Sequence, residues 1–235
     1  ETVETLLNQT DLGWRAHVLA GTGDDDVRCD DRRVTVVHLE GRDPLALADR
    51  LLSEGDPAAL VVVLEAGDLV EPDWIFELRA RAWDDPGARL LHWDDDVLDA
   101  DGGLVDPRIR PSWSPDTLLG ANYLGRSFAV RRSALVDAGG LRSDLDDTTW
   151  WDLLLRLDLD EGSVVRIPRV LTHLQRRLVE SRDRAVCAVQ DHLDRHGRAG
   201  TVEPGLAGLR VQWTIEEPPH VTVVIPTRHN VEMLS

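Results

Sequence analysis

Three apolar runs, at residues 14–19, 34–39 and 60–64, each end in a polar or glycine-containing loop. Between the last two, Leu45, Leu47, Ala48, Leu51 and Leu52 recur at helical spacing over residues 44–53. Strands separated by helical segments pair in parallel as βαβ units, so this alternation points to an α/β fold. The pattern continues downstream. Glu71-Pro72-Asp73 opens a helix with proline just inside its start, and Trp74, Leu78 and Ala82 share its inner face. Strands are expected at 89–93 and 127–130. A short helix begins at Arg131-Arg132-Ser133 and ends at Gly139-Gly140, and another covers 150–157. A strand at 164–167 stops before Pro168, an amphipathic helix spans 181–196, and strands at 209–215 and 221–225 follow. Residues 1–8 form a leading helix with Val3, Leu6 and Leu7 on one face.

Composition narrows the function. With 43 acidic against 26 basic residues, the net charge is -17, and the basic surface that nucleic-acid phosphates require is missing. The apolar runs are far too short to cross a bilayer, and residue 1 is Glu with no apolar leader behind it. A cytoplasmic location is the default. Cys29 and Cys187 are too few for a disulfide or metal framework.

Chemistry concentrates between residues 91 and 176. The apolar run Leu90-Leu91-His92-Trp93 leads into Asp94-Asp95-Asp96, the way an α/β sheet presents carboxylates at the end of a strand. Then come Trp113-Ser114-Pro115-Asp116, Asn122-Tyr123-Leu124-Gly125 and Trp151-Asp152-Leu153-Leu154-Leu155-Arg156. In this order the segments resemble a family 2 glycosyltransferase of the GT-A type. The resemblance implies a Rossmann-like three-layer α/β sandwich with a mostly parallel sheet. It also implies transfer of a sugar from a nucleotide-sugar donor to a cell-surface polysaccharide acceptor.

Four stations of that family can be compared with this chain. At the nucleotide station, Gly21 and Thr22 keep the tight turn but the family's carboxylates are gone, and Asp24-Asp25-Asp26 reads as a solvated acidic loop. At the metal station, Glu65-Ala66-Gly67-Asp68 keeps two carboxylates and places glycine where a third would touch the ion. His173 matches a family histidine that would join Glu65 and Asp68 around manganese or magnesium, a weakly held divalent cation; the plain alternative for His173 is a polar loop residue. Asp94, Asp95 and Asp96 stand at the donor and acceptor contact, or cap the backbone of a structural turn. At the base station the resemblance puts Trp150, whose indole cannot accept a proton. That leaves Asp152, which at a helix start also reads as a cap, and Asp146 or Asp147 from the loop before it.

The partners so implied are a nucleotide-sugar, a glycan acceptor and a downstream glycosyltransferase domain, with room for peripheral membrane association and no nucleic acid. A catalytically degenerate scaffold or glycan-binding module is the competing reading. A small-molecule Rossmann protein is disfavoured, because no Gly-x-Gly-x-x-Gly follows the first strand. The expected division is a GT-A-like domain over 1–178 lacking its first strand, a connector over 179–217, and, over 218–235, the first strand of a second unit. That strand is expected to fill the gap beside Val18 and Val62, within its own chain or in a neighbour.

Overall fold

The computed structural model describes residues 1–21, 23–24 and 27–226. A mixed sheet has the strand order β3 (Leu60–Val61), β7 (Phe128–Arg131), β5 (Leu90–Leu98), β8 (Val164–Leu174) and β4 (Leu69–Val70), with β6 (Leu104–Arg108) paired to the far end of β5. The two longest strands, β5 and β8, run parallel; β7 lies antiparallel between β5 and β3.

Side-chain alternation along these strands sorts the core onto two faces. Leu90, Phe128 and Val130 point to one, where they meet α4 (Pro115–Gly120), α5 (Arg132–Asp137), α6 (Thr149–Arg156) and α7 (Arg182–Arg195). Leu91, Trp93, Ala129, Ile167 and Leu171 point to the other, against α1 (Thr2–Leu7) and α3 (Trp74–Asp84). There Trp74 and Trp93 pack edge to face at 5.7 Å, an arrangement aromatic quadrupoles favour. The Trp93 indole donates to Thr172 Oγ1 at 3.0 Å, which pairs its one polar atom inside the core. The result is a three-layer α/β sandwich, with helices on both faces of the mixed sheet.

Local rules explain the helix starts. Asp43 accepts from Ala46 N ahead of α2 (Pro44–Ser53), Ser114 from Thr117 N ahead of α4, and Ser181 from Arg184 N ahead of α7. The sequence reading is corrected at three places. Strand β8 does not stop before Pro168: Trp93 pairs with Ile167 and Asp94 with Val170, so Pro168 and Arg169 are skipped in a bulge where the missing proline donor breaks no ladder bond. His173 therefore lies within β8, not in a loop after it. Asp94, Asp95 and Asp96 likewise lie inside β5 and not in a turn. A hairpin of β9 (Gly200–Gly205) and β10 (Gly208–Trp213) replaces the single expected strand at 209–215.

β1 (Ala16–Ala20) pairs only with β2 (Val34–His38), in parallel, and among the described residues no ladder joins β1 to β3. Residues 221–226 do not join β1 to β3 within their own chain. They carry no strand pairing, and Val221, Val223, Val224 and Ile225 are all exposed. That correction has a simple cause: β9 packs beside α7 and β10 beside α4, on the helical layer, and residues 214–226 continue from there exposed, without returning across the sheet.

Candidate functional site

The ends of β3, β5 and β8, with the loops after them, gather the candidate residues. Asp68 is fully buried. It accepts from Glu65 N at 2.9 Å, Gln175 N at 3.0 Å and Arg126 Nη2 at 2.9 Å. Arg126 is itself buried and stands 2.8 Å from one Asp68 oxygen and 3.4 Å from Glu65. A second guanidinium, Arg176, bridges Glu65 at 2.8 Å and Asp147 at 2.9 Å. The site is thus three carboxylates, Glu65, Asp68 and Asp147, laced by two arginines. Burial pushes the Glu65 carboxyl upward against the pull of both arginines, while the hydrogen bond from Arg176 holds Asp147 below its ordinary range.

His173 does not join this group. Its Nδ1 faces Asp96 Oδ1 at 2.6 Å and its Nε2 faces Glu71 Oε1 at 3.2 Å. Among the described residues no three His, Cys, Asp or Glu side chains are arranged to hold an ion. Gly67 adds a steric reason. It sits at φ +97°, where side chains are strained, and a Cβ there would run into the Gln175 amide. The third ligand position is filled by Gln175, so the residues present do not fit a divalent cation held by Glu65, Asp68 and His173.

The three consecutive aspartates are each committed inside the protein. Asp94 accepts from Arg110 N at 2.8 Å and from Arg166 Nη2 at 3.0 Å. Asp95 is paired with the buried Arg110 guanidinium and with the Ser127 hydroxyl. Asp96 is taken by His173. Asp152 is also interior: it accepts from Arg156 Nε at 2.7 Å, the i,i+4 pair across one helical turn, and from Arg142 Nη1 at 3.4 Å. Of the two expected catalytic carboxylates, only Asp147 joins the Glu65 and Asp68 group, through Arg176. Gly21 N donates to Asp24 Oδ2 at 2.9 Å in the turn after β1; Thr22 lies outside the described residues.

Sequence reasoning missed Arg126, Arg176 and Glu180. Arg126 was in view, directly after the Asn122-Tyr123-Leu124-Gly125 turn, and Gln175-Arg176-Arg177 directly follows β8. Glu180 accepts from Asn122 Nδ2 at 2.7 Å. Burial, with Asp147 nearby, raises its carboxyl to about 7.

Buried His92 is the complementary case: neither ring nitrogen has a partner among the described residues. Burial, reinforced by Arg166 and Arg110, lowers it to about 4. Native His92 binds its proton less tightly than the ordinary 6.5, so its contribution is complete above that pH and is lost on falling toward 4. Native Glu180 binds more tightly than the ordinary 4.5; its contribution is complete below that pH and is lost on rising through 7. Each effect is on the order of 2 kcal/mol, and they oppose one another in the shared window. His92→Leu should therefore stabilise more at pH 5 than at pH 8, and Glu180→Gln more at pH 8 than at pH 5, in urea denaturation. Equal gains at both pH values would refute the assignment.

No protein-family model matches the chain. In sequence it is 31% identical over 199 residues to the O-antigen biosynthesis protein RfbC of Myxococcus xanthus, covering 79% of this chain and 16% of that protein. It is 24% identical over 221 residues to the uncharacterized protein y4gI of Sinorhizobium fredii, covering 87% and 24%. The chain thus spans less than a quarter of the length of either relative. Among solved structures, S. aureus TarS 1-349 in complex with UDP-GlcNAc superposes with a TM-score of 0.61 at 10% identity, over 82% of this chain and 61% of TarS. The complex with UDP gives 0.58 at 12% identity, over 82% and 60%. At that identity the likeness establishes the fold. The fold is therefore the GT-A fold, and in sequence the chain resembles one segment of an O-antigen biosynthesis protein. No helix of the described residues is long and apolar enough to cross a membrane.

Proposed function

We propose that this domain takes part in transferring a sugar from a nucleotide-sugar donor to a cell-surface polysaccharide acceptor. The observation that carries the proposal is the relationship to an O-antigen biosynthesis protein over 79% of the chain; the structural likeness to a protein solved with UDP and UDP-GlcNAc supports the donor class. Within this reading, the partly exposed Glu65 and Asp147 face the donor, and buried Asp68 holds Arg126 behind them. The acceptor glycan, a cytoplasmic location, peripheral membrane association and a downstream glycosyltransferase domain belong to the same proposal. So does the division into 1–178, 179–217 and 218–235, in which residues 221–225 begin a second unit or complete a neighbour's sheet. A monomer in solution that stays monomeric on removal of 218–235 would argue against exchange between neighbours.

One observation favours the second reading, a degenerate GT-A domain that scaffolds or binds glycan for an active partner: Asp94, Asp95 and Asp152 are buried and spent on arginines. Ligand-observed NMR with UDP, UDP-GlcNAc and dTDP separates the two. The donor reading expects saturable UDP binding no tighter than about millimolar, near -4 kcal/mol, because the turn after β1 lacks base-binding carboxylates. Binding of glycan with no binding of any nucleotide would select the scaffold.

A further inference from the structure

We infer that the Arg126 and Arg176 guanidinium groups take the place of a divalent cation, so that the donor's diphosphate is met by fixed arginine charge without a metal. The inference rests on the donor reading above and says how that site handles the diphosphate.

Three independent features carry it. First, the cation position is filled: Arg126 is 2% exposed and stands between Asp68 at 2.8 Å and Glu65 at 3.4 Å, the two carboxylates that remain of the acidic station. Second, the position of the missing ligand is unfavourable for a side chain: Gly67 holds φ +97°, where side chains are strained, and the Gln175 side chain occupies the space a Cβ would need. The Gln175 backbone N–H donates to Asp68 at 3.0 Å. Third, the charge is conserved. Two guanidinium groups supply the +2 that a divalent ion would bring, and Arg176 brings its share to the surface: its side chain is 48% exposed while it spans Glu65 and Asp147.

The two arginines divide the task. Arg126 neutralises Asp68 within the protein and, through Nη2, donates to the Arg176 carbonyl at 3.1 Å, fixing the loop after β8. Arg176, so positioned, is 48% exposed with its Nη groups held by Glu65, Asp147 and the Arg177 carbonyl. A diphosphate would engage the planar guanidinium, whose geometry matches phosphate oxygens, by exchanging with these acceptors. An ion would have to displace Arg126 from two carboxylates, leaving a buried guanidinium without a counter-charge, which is strongly unfavourable.

The test titrates UDP by ligand-observed NMR with magnesium and, separately, with EDTA. Equal affinity in both is expected. Arg176→Gln should weaken binding roughly ten-fold, the scale of one charge-assisted hydrogen bond. Arg169→Gln, which removes a surface charge paired with Asp73, just before α3, and with Glu77 on α3, should leave binding unchanged. Arg126→Gln frees Asp68 and Glu65 and should make magnesium raise the affinity; circular dichroism reports whether that variant folds, and the Arg176→Gln result decides if it does not. Ten-fold tighter wild-type binding with magnesium would overturn the inference and leave the donor reading intact. Absence of UDP binding in both arms would overturn both.

Discussion

Trp150→Ala should destabilise the domain by about 3 to 5 kcal/mol, the usual cost of emptying a buried aromatic site. For a chain of this length that amounts to a fall in Tm of roughly 10 °C. The resemblance places Trp150 at the base position and leads one to expect its ring to close the acceptor side of the cleft. The structure buries the ring instead: Trp150 lies in the helical layer, edge-on to Phe128 at 6.4 Å, and with Val61, Val62, Val63, Leu153 and Arg126 it lines a small, partly open pocket of about 20 Å³. Its neighbours come from the sheet and from α6, which cannot collapse into the space an indole leaves, so the cavity persists. Trp150→Phe should recover most of the loss, because one aromatic ring still meets Phe128. Thermal denaturation of both variants is the check. A Trp150→Ala protein as stable as wild type that gains glycan binding would restore the ring to the cleft.

The same residue shows how much the sequence discloses. Its neighbours in the chain, Trp151, Leu153, Leu154 and Leu155, announce a buried helix by composition alone. Strands β5 and β7 are visible as apolar runs because burial on two faces is written locally, and β1, β2 and β3 are visible as apolar runs although only partly buried. What is not local is lost. Carboxylates in the middle of a strand look like a turn until their partners are known, and those of Asp95, Asp94 and Asp96 lie 15, 72 and 77 residues away, at Arg110, Arg166 and His173. The local rule that proline ends a strand fails at Pro168, because a bulge lets the β5–β8 ladder resume beyond it. The candidate site follows the same division. Glu65 and Asp68 are close in sequence and stay close in space. Arg126 reaches Asp68 across 58 residues and Arg176 reaches Glu65 across 111, and no spacing in the chain signals either pairing.

Asp152→Ala should cost about 3 to 5 kcal/mol, the penalty for removing one partner of a buried ion pair. Asp152 is 1% exposed and receives Arg156 Nε at 2.7 Å. The rest of that guanidinium donates to the Gly140 carbonyl at 2.8 Å and to the Ala138 carbonyl. These carbonyls end α5, where Gly139 and Gly140 turn the chain through φ +83° and +75°. Asp152 thus orients an arginine that ties α6 to the turn after α5, and without it the guanidinium stays in the interior with carbonyl partners and no counter-charge. Arg142, at 3.4 Å, is half-exposed and contributes little by itself. A double-mutant cycle distinguishes this positioning role from catalysis. Arg156→Met should destabilise nearly as much as Asp152→Leu, and the double variant should be far more stable than the sum of the two, because an apolar pair replaces a paired charge at small cost. Urea denaturation of the four proteins reads the coupling directly. If Asp152→Ala unfolds at the wild-type midpoint while sugar transfer disappears, Asp152 acts on the substrate and the ion pair is incidental.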